Sequence, residues 1–170
     1  DATGQTLVAR AHFPIAGLQF ERHLEIRDRV IAIRERVENV SGSDRSIGWT
    51  QHVTLGPPFL EPGTTEFRAS ATRSRVFESA FGTDDYLRPA ADFDWPHAPM
   101  ANGEQIDLRL FRAAERSSAF TTHLMDQQMP AAYFVAFAPA FALAFGYVWK
   151  PSDFPWLGIW EENHSRTQPP

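Results

Sequence analysis

Short runs of β-branched and aromatic residues, cut repeatedly by proline, glycine and polar turn residues, recur along the whole chain and predict strands rather than helices. Strands are expected near residues 6–12, 18–26, 29–38, 46–55, 73–78, 106–111, 119–125, 131–138, 141–149 and 156–162. Thirteen prolines and ten glycines leave little room for long helices. Arg27-Asp28 reads as a tight hairpin joint, and Ser41-Gly42-Ser43-Asp44 as the turn closing the next pair. Many short antiparallel strands at close spacing predict an all-β sandwich or barrel. Residues 61–72 and 82–103 read as long excursions from the sheet, and loops of that length in a compact domain are often functional. The second excursion carries Asp84, Asp85, Asp92, Phe93, Asp94, Trp95 and His97; a surface cover packed by Phe93 and Trp95 is the alternative reading.

Composition narrows the picture. The 170 residues suit a single domain, and 43% hydrophobic with 22% charged residues is the balance of an ordered globular chain. A formal charge of -5 argues against a nucleic-acid partner, because binding phosphates needs a basic face. The absence of cysteine excludes disulfides, thiol nucleophiles and thiolate metal sites, and suits the cytoplasm. The chain opens on Asp1 without a signal segment and closes on Pro169-Pro170, so both ends read as cuts in a longer protein. Its longest apolar stretch, 131–148, is interrupted by Pro139 and predicts a pair of buried strands rather than a membrane span.

The stretch from Ile47 to Phe59 is the most informative for chemistry. On an extended strand, Ile47, Trp49, Gln51, Val53 and Leu55 share one apolar face, and Gly48, Thr50, His52 and Thr54 share a small, polar one. A histidine among small hydroxyl residues sits where a ligand can approach it; a half-exposed histidine on a solvated face is the plainer reading. His12, His23, His97, His123 and His164 form no close-spaced pairs, so a metal site is not expected. No serine lies in a Gly-x-Ser-x-Gly setting, and no phosphate-binding glycine loop is present. The alternating Arg and Glu between residues 21 and 38 predict a solvated sheet face with cross-strand charge pairs.

The order Phe13-Pro14, Leu24-Glu25-Ile26, Glu38-Asn39-Val40-Ser41, Gln51-His52 and Gly56-Pro57-Pro58-Phe59 resembles the middle of an aldose 1-epimerase (galactose mutarotase) family protein. The run from Phe154 to Trp160 resembles a second family segment, a late strand near the site. The resemblance implies a galactose-mutarotase-like β-supersandwich, incomplete at both ends, with a cleft centred on His52 that takes a monosaccharide or sugar derivative. It implies no cofactor and no metal. In mutarotation a base removes the anomeric hydroxyl proton, an acid protonates the ring oxygen, and the opened ring recloses on the other face. The family's histidine falls on His52, whose residue type titrates near neutrality and suits the acid. Its glutamate base falls on Glu161 or Glu162, or on a strand beyond Pro170. Alternation puts Glu162 with Trp156, Gly158 and Trp160, an aromatic face of the kind that stacks on sugars, and this favours Glu162. The expected site is therefore His52 and Glu162 as the acid–base pair, with Gln51, Trp95, Asp94, Trp160 and Glu161 binding substrate. Asp92 competes with Asp94 as the substrate-orienting carboxylate. The expected activity is an aldose 1-epimerase-like isomerase; the alternatives are a non-catalytic carbohydrate-binding β-sandwich module, and a sandwich used only for protein contacts.

Overall fold

The computed structural model describes residues 4–80 and 82–166; the chain ends read above as cuts lie outside them. The protein is all-β, and every ladder between its strands is antiparallel among the described residues. Its contacts divide it into two compact units that meet in sequence between His52 and Val53. That boundary falls inside the stretch 46–55 expected as one strand.

The first unit is a three-stranded meander, β1 (Gln5–Phe13), β2 (Leu18–Arg27) and β3 (Val30–Asn39). The turn between β2 and β3 is Asp28-Arg29, one residue later than expected, because Arg27 pairs with Val30. Asp28 takes the left-handed conformation (φ 53) that aspartate tolerates better than most residues. Registers Leu7↔Leu24↔Ile33 and Ala11↔Phe20↔Val37 gather one apolar face, while Arg10↔Glu21↔Arg36 lies on the polar one. The expected charge pairing is present: Arg10 Nε lies 2.5 Å from Glu21. An exposed pair of this kind contributes about 0–1 kcal/mol.

Residues 46–55 form no strand. Instead of pairing through its backbone, the segment up to residue 51 lies along the apolar face of the meander through side chains. Trp49 meets Phe20 edge-on at 6.4 Å and donates its indole N–H to Glu35 at 3.2 Å, and Gln51 donates to the same carboxylate.

The second unit holds nine strands among its described residues. They are β4 (Glu66–Ala69), β5 (Ala71–Val76), β6 (Asp92–Asp94), β7 (His97–Pro99), β8 (Gln105–Asp107), β9 (Ser117–Met125), β10 (Ala132–Ala138), β11 (Leu143–Trp149) and β12 (Trp156–Asn163). They make a three-stranded sheet β11-β10-β4, a four-stranded sheet β12-β9-β5-β6 and the hairpin β7-β8. The two larger sheets share a core. Met125 and Leu157 from one meet Phe134, Ala132 and Ala136 from the other, flanked by Phe67, Tyr147 and Trp149. A second cluster, of Val76, Leu87, Ala91, Ala98 and Ala119, packs the connection 77–116 against the four-stranded sheet. The excursions 61–72 and 82–103 thus contain short strands of their own. The apolar stretch 131–148 forms the hairpin expected of it, but only β10 is buried; on β11 Val148 is 69% exposed. Among the described residues no helix is long and apolar enough to cross a membrane.

Candidate functional site

Strand β12 carries both candidate carboxylates, Glu161 and Glu162. Its alternation sends Leu157, Ile159 and Glu161 inward, toward the packed side, and leaves Trp156, Gly158 and Glu162 exposed. Glu161 is thus carried into the interior on the strand's apolar face. There Tyr86 donates its hydroxyl to Oε2 at 2.9 Å, and Ser117 donates its own to Oε1. Burial raises the Glu161 pKa above its ordinary value, against the opposing pull of the Ser117 and Tyr86 hydrogen bonds and the Arg112 charge. The Tyr86 phenol is pushed far upward, chiefly by burial and then by the Glu161 charge, so it stays a donor. Arg112 places its guanidinium over the Tyr86 ring at 4.4 Å. A carboxyl with a raised pKa, both oxygens held by hydroxyls, is a candidate proton-transfer group.

Glu162 has different company. It is exposed, pairs with Arg166 Nε at 3.2 Å and accepts the Ser165 N–H at 2.8 Å, which ties down the end of the strand. Trp160, on the same side, has the Arg166 guanidinium over its ring at 4.9 Å.

The outward face of the four-stranded sheet also carries a groove of about 200 Å³, lined by Trp156 of β12, Thr122 of β9, Arg73 and Arg75 of β5 and Asp92 of β6. Arg75 donates to Asp92 at 3.0 Å, and Asp94 stands opposite Arg73 in the β5–β6 register. Of the expected substrate-binding residues, Asp94 and Trp160 lie on strands of this sheet, with Glu161 on the opposite face from the groove.

Trp95 lies in a packing position. Its ring meets His123 edge-on at 5.0 Å, and Phe93 does so at 6.0 Å. His123 is fully buried and bonds through Nδ1 to Ser74 Oγ (2.9 Å) and through Nε2 to Thr121 Oγ1 (2.8 Å). Burial lowers its pKa to about 4. Because the folded value lies below the unfolded value of 6.5, the unfolded chain takes up this proton first as pH falls. The stability His123 contributes is therefore complete above about pH 6.5 and is lost progressively toward pH 4, by about 3 kcal/mol if the whole shift is realised. Urea midpoints measured across that range should fall in the wild type and fall less in His123→Gln. The difference isolates His123 from Glu161, whose raised pKa acts with the opposite sign.

In the first unit, Gln51 accepts from Arg22 Nη2 at 3.5 Å and donates to Glu35, so its side chain serves the meander. His52 is exposed and sits outside any strand. Of the face expected to be apolar, Trp49 and Gln51 turn to the meander, while Ile47 and Val53 are exposed. Among the described residues, no group of three or more His, Asp or Glu is arranged to hold a metal ion. Tyr86, Ser117, Arg112 and the groove residues Thr122, Arg73 and Arg75 were not legible as site residues. The only available signal was Glu161 itself, a carboxylate in phase with the apolar positions of its strand.

Comparison of the chain with protein-family models, with curated proteins and with solved structures gives no match.

Proposed function

We propose that this protein is an aldose 1-epimerase-like isomerase, built on a galactose-mutarotase-like β-supersandwich, that interconverts the anomers of a monosaccharide or sugar derivative. The observation that carries the reading is the setting of Glu161. A carboxyl whose pKa is raised by burial, oriented by Tyr86 and Ser117, is suited to take the anomeric proton. The base is accordingly Glu161 rather than Glu162, which is engaged with Arg166 at the surface. The family resemblance assigns the acid to His52; the structural support for the reading rests on Glu161 in the second unit. Proton transfer is the only chemistry required, so the reaction as proposed draws on side chains alone.

The experiment is anomer exchange in a panel of free hexoses and hexose phosphates, followed by polarimetry or by NMR exchange spectroscopy. Acceleration over the spontaneous rate that is lost in His52→Ala supports the reading. A folded protein that accelerates none of them refutes isomerase activity and favours the non-catalytic carbohydrate-binding reading, for which the groove on the outer sheet face is the supporting observation.

A further inference from the structure

The outward face of the four-stranded sheet lies on the other side of β12 from Glu161, and its groove has no part in the proton transfer proposed above. Three of its properties point to one kind of ligand. Its volume, about 200 Å³, is below the roughly 300–1,000 Å³ of clefts that take drug-sized molecules, and fits a single ring. Trp156 is 51% exposed, offering an indole surface to the C–H-rich face of a sugar. Two places along the strand, Gly158 stands opposite Thr122 and presents no side chain. A substituent there would have ordinary contact with the Phe120 ring.

The polar lining supplies the third property. Gly158↔Thr122↔Arg75↔Asp92 forms a continuous row across the sheet, and Arg73↔Asp94 stands beside it. Arg73, Arg75 and Asp92 line the groove, and Asp94 stands opposite Arg73 in the register, so donors and acceptors of both charges lie together. An anionic ligand would meet Asp92, and a cation would meet Arg73 and Arg75. A polyol needs both kinds of partner at once, because each hydroxyl donates and accepts. The Arg75–Asp92 pair, joined at 3.0 Å, presents a guanidinium and a carboxylate side by side to neighbouring hydroxyls.

We infer that this groove is a second carbohydrate subsite, which holds a neutral pyranose ring against Trp156 with its hydroxyls on Thr122, Arg75 and Asp92. It binds without turnover and stands independently of the isomerase reading. The test uses methyl α- and β-glycosides of glucose, galactose and mannose, whose locked anomeric centres cannot exchange, titrated by saturation-transfer difference NMR against the whole chain. Saturable binding of at least one glycoside is expected, weakened about tenfold or more in Trp156→Ala and retained within about twofold in Glu161→Gln. Thr122→Val, a near-isosteric change that spares the packing, should weaken it as well. Binding that survives both Trp156→Ala and Thr122→Val, binding lost in Glu161→Gln, or no saturable binding of any glycoside would each overturn the assignment.

Discussion

Glu161→Gln should lower the rate of anomer exchange by about 10²–10⁴-fold, the range supplied by a positioned general base, while the protein stays folded. Glutamine keeps the length and planar end of the side chain. One of its amide atoms still accepts from a hydroxyl, and the hydroxyl of Tyr86 or Ser117 facing the other can turn to accept from the amide. The substitution also removes a charge whose burial is unfavourable, so stability should hold or rise slightly. Glu162→Gln provides the contrast. It breaks an exposed pair with Arg166 and should change stability by no more than about 1 kcal/mol. Circular dichroism with urea midpoints checks the folding, and exchange spectroscopy checks the rate. If Glu162→Gln were the variant that lost activity, the assignment of the base would be reversed.

The largest loss of stability is expected for Phe134→Ala, at about 3–5 kcal/mol. Phe134 is 6% exposed and belongs to the cluster where the two larger sheets of the second unit meet. Its ring stacks on Phe67 at 5.7 Å and lies tilted against Tyr147 at 5.5 Å, so truncation opens a cavity between aromatic neighbours that cannot simply close in. Against a typical total of about 5–15 kcal/mol this is a large share, and the urea midpoint should drop sharply with little change in slope. Phe145→Ala, on the exposed strand β11, should cost less than about 1 kcal/mol and serves as the control.

The fold was legible where side-chain alternation was strong. β1, β2, β3, β9, β10 and β12 appear within about two residues of their expected limits, because each is a run of strand-favouring residues bounded by turn residues. The short strands β4, β6 and β7 were not legible: three or four residues carry no measurable period, and only their partners define them. The stretch 46–55 misled in the other direction. Its alternation is real, but Trp49 and Gln51 spend it on side-chain contacts with Phe20 and Glu35 instead of on a ladder.

The same limit governed the site. Alternation placed Glu161 and Glu162 on opposite faces of β12, as found. Which of those faces is interior depends on what packs there, and Tyr86 comes from 75 residues earlier in the chain. The aromatic side of the strand, with Trp156, Trp160 and Glu162, looked like the sugar-binding side. The apolar residues Leu157 and Ile159 were the better guide to the buried carboxyl.

The most direct test of the account is the pH dependence of anomer exchange in the wild type and in Tyr86→Phe. A base works when ionised, so the wild-type rate should rise with pH through a value above the ordinary glutamate pKa of 4.5. Removing the Tyr86 hydroxyl takes away a hydrogen bond that favours the carboxylate, so this acid limb should move to still higher pH in Tyr86→Phe. An acid limb at or below 4.5 that ignores the substitution, or no acceleration at any pH, would contradict Glu161 as the base.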